Sequence, residues 1–182
     1  MEIHPNIEYV MLTEQQIKRR IKQVAKQLDK FYEGRKPVVI CILKGSSIFF
    51  SDLIRNMNAN LTIDFMSVSS YGSGTTSSGE LKIRHDLSTD IAGRDVLIVE
   101  DIIDSGNTLY HLKKMLNTRA PSSVNIVTLL DKPARREMPI EPEYTCFVIE
   151  DEFVIGYGLD YDEEYRNLPY VGVLKRSVYE NN

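Results

Sequence analysis

Short aliphatic and β-branched runs that give way to helical periodicity constrain this chain more than any other feature. Residues 38–43 form a continuous apolar run of strand length, and residues 46–57 then set Ile48, Phe49, Leu53 and Met57 on one helical face. The unit recurs. Residues 96–99 are a second such run, followed by Leu109, Leu112, Met115 and Leu116 at helical spacing, and 124–130 and 145–149 supply two further strands. Strands apolar on both faces must be covered on both, so the pattern predicts an α/β chain with a central, mostly parallel sheet flanked by helices. In open sheets of this kind ligands sit beyond the carboxyl ends of the strands, which directs attention to the residues just after Leu43, Val99, Leu130 and Ile149.

Around these units the sequence predicts one domain. Thr13 and Gln16 form a capping box ahead of Ile17, Ile21, Val24 and Leu28, a helix expected to end near Gly34. Leu61, Ile63 and Phe65 alternate with Thr62 and Asp64 in a strand over 61–68, which runs into the Gly/Ser/Thr-rich stretch 71–79, read as a mobile loop. From Lys132 the pattern changes: Pro133, Pro139 and Pro142 punctuate a loop, and an aromatic tail over 153–170 follows. The 182 residues show no internal repeat or linker, so the expectation is an α/β core with a small region appended from the chain's ends. Lys plus Arg total 22 against 26 Asp plus Glu, a net charge of −4 that leaves no basic footprint for nucleic acid. No apolar run reaches membrane-spanning length, and Glu2, His4, Pro5 and Glu8 stand where a signal peptide would be apolar, so no membrane association and a cytoplasmic location are expected. Cys41 and Cys146 lie inside apolar runs and read as core thiols.

Chemistry concentrates at 96–108, where a buried strand ends in Glu100 and Asp101 and passes through Asp104 into a Ser105-Gly106-Asn107-Thr108 turn opening a helix. Backbone N–H groups from Ser105 to Leu109 and the Ser105 and Thr108 hydroxyls can converge on one phosphate, reinforced by the helix N-terminus. Carboxylates beside such a cradle would repel a phosphate. They call for a cation, or for hydroxyls whose protons they can accept, and a phosphorylated sugar with Mg²⁺ supplies both.

The stretch 99–108, behind the apolar run 96–98, resembles the phosphoribosyl pyrophosphate signature of type I phosphoribosyltransferases. Leu43-Lys44-Gly45 is similar to that family's pyrophosphate loop, Ser70-Tyr71 to its lid, Asp131-Lys132-Pro133 to the purine-reading lysine, and 151–161 to the base clamp of the hypoxanthine-guanine branch. The resemblance spans roughly 40–173 with the motifs in the family's order. It implies the type I phosphoribosyltransferase fold, with a core over about 36–150, a hood from the N-terminal segment and about 151–182, and a flexible lid over about 70–80. It implies a purine-salvage enzyme that moves the phosphoribosyl group of phosphoribosyl pyrophosphate onto N9 of hypoxanthine or guanine, giving IMP or GMP and pyrophosphate, with Mg²⁺, in a homodimer or homotetramer.

The same resemblance assigns roles. Asp104 is the candidate general base at purine N7. Glu100 and Asp101 hold the ribose hydroxyls and, with Asp160, the metal; Ser105, Gly106, Asn107 and Thr108 take the 5′-phosphate. Lys44, Gly45 and Arg166 bind pyrophosphate, covered by Ser70 and Tyr71, a lid that would keep water from an activated sugar. Lys132 can donate to the O6 carbonyl of a 6-oxopurine, Phe153 offers a flat face and Val154 lends backbone groups. A salt bridge from Lys132 to Asp131 or Glu137 is the competing reading. Asp162, Glu163 and Glu164 read as a solvated acidic run. Asn107 stands where many relatives carry Lys or Arg, and Glu150 where a proline is frequent. In the family the peptide matching Leu43–Lys44 can be cis. A nucleotide-sensing regulator would show a basic patch, and a dinucleotide-binding Rossmann site would need a G-x-G-x-x-G that Gly106 alone does not make. A xanthine-preferring relative remains the alternative within the enzyme class.

Overall fold

The structure is a computed structural model that describes residues 3–70 and 81–180. Its central sheet has six strands in the order β4-β3-β2-β5-β6-β7: β2 (Val38–Ile42), β3 (Thr62–Ser70), β4 (Leu81–His85), β5 (Asp95–Ile103), β6 (Ser123–Asp131) and β7 (Tyr144–Val148). β3, β2, β5, β6 and β7 run parallel, and only β4 is antiparallel, against β3. The α/β expectation is met.

The pleat of β2 explains how the layers divide. Val39 and Cys41 pack against α1 (Glu14–Phe31) and α2 (Ser47–Asn56), while Val38, Ile40 and Ile42 pack against α3 (Asn107–Asn117) on the opposite face. α1 starts where its capping box dictates: the Gln16 amide donates to Thr13 Oγ1 at 3.3 Å and the Thr13 amide to Gln16 Oε1 at 2.9 Å. It buries Ile17, Ile21, Val24, Ala25 and Leu28, each larger side chain contributing about 1.5–3 kcal/mol on burial. Arg20 leaves the same helix to donate to the Thr145 and Cys146 carbonyls at 2.9 and 2.8 Å, tying α1 to edge strand β7. The helix ends at Phe31, three residues before Gly34, with the Tyr32 amide bonded to the Leu28 carbonyl.

A second, three-stranded antiparallel sheet joins β1 (Ile7–Leu12), β9 (Val171–Leu174) and β8 (Val154–Ile155) in the order β1-β9-β8. Ile7, Ile155, Tyr170 and Leu174 form its own small core. Both cysteines are buried and free, as expected of core thiols.

Candidate active site

The acidic pair lies inside β5. The sequence placed the strand's end at Val99, but Glu100, Ile102 and Ile103 continue the ladder opposite Thr128, Leu130 and Asp131 of β6, because β6 itself runs that far. Burial pushes both the Glu100 and Asp101 carboxyls above their ordinary range, and Glu100 is raised further by the charge of its neighbour. Asp101 Oδ1 accepts the Ile102 amide at 2.8 Å. The loop after β2 presses on this carboxylate so closely that a Cβ on Gly45 would fall 1.7 Å from Asp101 Oδ2.

The turn from β5 into α3 is braced from behind. Gly106 has φ +80°, and a Cβ there would lie 2.7 Å from Ile140 Cγ2, so both conformation and space require glycine. The Ser105 carbonyl accepts the Glu137 and Met138 amides at 2.9 and 3.1 Å. Arg136, almost fully buried, donates to the Asp104 carbonyl and pairs with Asp131. The Asn107 amide donates to Ser105 Oγ at 3.3 Å. Ser105 to Thr108, with Glu100 and Ile42, line a cavity of about 250 Å³.

A second cavity of about 510 Å³ adjoins it and shares Asp101, Ile102 and Asp104. Lys132, Phe153, Val154 and Asp160 line this larger one. The Lys132 side chain is 8% exposed; its Nζ donates to the Glu152 carbonyl at 2.6 Å and stands 3.7 Å from Asp151 Oδ1. It pairs with neither Asp131 nor Glu137, since Asp131 is taken by Arg136. Phe153 is exposed, its ring stacked on Tyr179 at 4.9 Å, and Val154 is fixed in β8 opposite Val173. Asp104 Oδ1 stands 2.8 Å from Arg135 Nε.

Beside these cavities the chain's tail docks on the loop after β2. The Leu43–Lys44 peptide is cis. Gly158, at φ +103°, approaches so closely that a Cβ would sit 2.0 Å from the Gly45 carbonyl oxygen. Arg166 donates to the Gly158 carbonyl at 2.8 Å and pairs with Asp160 at 2.9 Å. Lys44 Nζ lies 2.8 Å from Glu163 Oε2.

A sequence model of the phosphoribosyl transferase domain matches residues 9–162. The chain belongs to the phosphoribosyltransferase family. Among its relatives, the hypoxanthine-guanine phosphoribosyltransferase of Lactococcus lactis is 53% identical over 173 residues, covering 95% of this chain and 94% of the relative. The crystal structure of a hypoxanthine phosphoribosyltransferase from Staphylococcus aureus superposes with a TM-score of 0.94 at 51% identity, covering 97% of this chain and 96% of that one. The bifunctional protein TilS/HprT of Listeria innocua is 51% identical over 177 residues, 97% of this chain but 27% of its own length, so the chain spans about a quarter of such relatives. Hypoxanthine-guanine phosphoribosyltransferases of Streptococcus thermophilus and Streptococcus pneumoniae match at 48% and 51% identity over 97% of this chain and 98% of their own length.

In the structure the sequence-derived residues fall into three groups. Glu100, Asp101 and Ser105 to Thr108 share the smaller cavity, while Lys132, Phe153, Val154, Asp160 and again Asp101 share the larger. Lys44 and Arg166 meet through Glu163. Ser70 ends β3 opposite Leu81, and Tyr71 with the rest of the lid to residue 80 lies outside the described residues. The sequence reading assigned no task to Arg135, Arg136, Glu163 or Tyr179. Arg136 had one visible signal, a second arginine after Lys132 in a loop otherwise read for its prolines.

Proposed function

We propose that the chain transfers the phosphoribosyl group of phosphoribosyl pyrophosphate to N9 of hypoxanthine, and of guanine, releasing pyrophosphate. One observation carries this reading: two cavities of different chemistry meet at the carboxyl end of β5 and share Asp101, Ile102 and Asp104. The smaller offers a helix N-terminus and hydroxyls suited to a 5′-phosphate, and the larger offers an ammonium and an aromatic face suited to a 6-oxopurine. The sugar then spans the shared edge, where Glu100 and Asp101 accept from its hydroxyls.

In the transfer, purine N9 bonds to C1 of the sugar as the bond from C1 to the pyrophosphate oxygen breaks. The proton lost by the purine passes to Asp104 from N7. Lys132 holds O6, and its bond to the Glu152 carbonyl keeps the ammonium aimed from the wall of the cavity. Lys44, Gly45 and Arg166 take the leaving pyrophosphate, and Ser70 with Tyr71 close over it. Glu100 and Asp101 fit a divalent cation: they are adjacent hard-oxygen donors whose carboxyls burial pushes above their ordinary range. Among the described residues no three such ligands converge, so Glu100 and Asp101 would hold Mg²⁺ with Asp160 reaching it through water, and the ion when bound would neutralise charge on pyrophosphate.

We further propose a cytoplasmic homodimer or homotetramer, without nucleic acid or membrane as partner. Ile63 and Phe65, exposed on the same face of β3, support an interface between copies. A core over about 36–150 with a hood from the chain's ends is the matching division, supported by the separate three-stranded sheet.

The test is steady-state turnover of hypoxanthine, guanine and xanthine with phosphoribosyl pyrophosphate and Mg²⁺. Hypoxanthine is expected to be used at least as efficiently as guanine, with xanthine poor. Strong preference for xanthine would overturn this reading in favour of the xanthine-preferring alternative.

A further inference from the structure

Among the described residues, Glu163 is the member of the acidic run 162–164 that pairs with Lys44 and with Arg166. Its Oε2 lies 2.8 Å from Lys44 Nζ and 3.4 Å from Arg166 NH2, so one carboxylate oxygen bridges two side chains that reach it from different segments. The geometry is built in. Asp162, Glu163 and Tyr165 hold left-handed backbone at φ +51°, +66° and +72°, and the Glu163 amide donates to Asp160 Oδ2 at 3.0 Å, which fixes the turn that presents the carboxylate. Arg166 is meanwhile incompletely used: its Nε is buried without a hydrogen-bond partner.

An anion seated between two cations stands where a second anion would need to go. Resting on the reading above that Lys44 and Arg166 grip pyrophosphate, we propose that Glu163 is an internal competitor for that grip: its carboxylate holds Lys44 and Arg166 in the empty site and is displaced by the pyrophosphate group of the incoming substrate. The same carboxylate then recaptures the two cations as product leaves. Glu163 is thus a positioning residue that weakens pyrophosphate binding and speeds release, touching neither the purine nor the sugar. A site held closed by an internal contact binds with an affinity reduced by the fraction of time it is open. Both partners of the Lys44–Glu163 pair are more than 60% exposed, so the contact is weak and the effect is modest.

The test uses the full chain and inorganic pyrophosphate with Mg²⁺ as the calorimetric probe. Glu163→Gln is expected to tighten pyrophosphate binding and lower KM for phosphoribosyl pyrophosphate by about two- to fivefold, with KM for hypoxanthine unchanged and kcat not raised. Glu163→Asn, which suits the left-handed backbone, should do the same and covers the case in which Gln disturbs the turn. Lys44→Met should weaken pyrophosphate binding, and in that background Glu163→Gln should tighten it less than in the native chain. If Lys44→Met weakens binding while both Glu163 variants leave it unchanged or weaker, the competitor is disproved and the pyrophosphate site stands. If Lys44→Met has no effect on pyrophosphate, the site assignment itself fails and the competitor with it.

Discussion

Asp104 stands on the edge between two cavities, and its surroundings decide how a substitution there should read. Its carbonyl is held by buried Arg136, so the backbone position does not depend on its side chain, while its carboxylate faces Arg135, an exposed arginine able to find water if the pair is lost. Asp104→Asn should therefore leave folding and pyrophosphate affinity nearly unchanged. Asparagine cannot take the purine proton, and turnover should fall by about 10²–10⁴-fold, as measured at saturating substrates with chemistry rate-limiting. Near-native turnover would require another proton acceptor. At this scale the sequence was partly legible: Lys132 and Phe153 could be placed at the ends of strands, but which of several charged neighbours each would pair with could not. Lys132 turned out to donate to a backbone carbonyl twenty residues on, and Glu163, indistinguishable from Asp162 and Glu164 in sequence, was singled out only by a turn whose left-handed residues carry no glycine signal.

The elements were most legible where period and boundary signals agreed. Thr13 with Gln16 announced α1, and β2 and β6 were plain as continuous apolar runs. β1, β8 and β9 were not read, because strands of six, two and four residues have too little length to show alternation and borrow their definition from each other. Asp64 shows a different gap, a charged residue counted as the polar half of an alternating strand and found 4% exposed. It ties β3 to the turn before β5, accepting the Ser88 and Thr89 amides at 3.0 and 2.7 Å and the Phe65 amide at 2.8 Å. Burial alone would raise its carboxyl, but these hydrogen bonds outweigh burial and hold it below the ordinary range. The sign follows: a depressed folded value adds stability above the unfolded value of about 3.9, and that stability is lost as pH falls through the folded value. Asp64→Asn should cost about 1.5–3 kcal/mol at pH 7 in urea unfolding, with the gap to the native chain closing below about pH 4. A gap that persisted unchanged to pH 2 would mean that the charge contributes nothing.

Across the whole molecule, the two thiols report on the integrity of the central sheet. Cys41 in β2 and Cys146 in β7 are buried, and burial pushes their thiols up to about 11 and about 12. The nucleophilic thiolate is scarce at pH 8 and inaccessible as well. Reaction with a disulfide reagent should therefore be slow in the native protein, yield two equivalents in denaturant, and follow the unfolding curve. Rapid reaction of one equivalent under native conditions would show that β7 opens on its own. The second sheet has a consequence for synthesis in the cell. β1 leaves the ribosome about 160 residues before β9, the only strand it pairs with among the described residues, and β8 waits for the same partner. At about 5–20 residues per second, β1 spends roughly 8–30 s without its backbone partner. Until β9 is made, β8 lacks the one strand it pairs with among the described residues, so a nascent chain that has already folded the turn into α3 has yet to fix Val154 and Phe153 in the wall of the larger cavity.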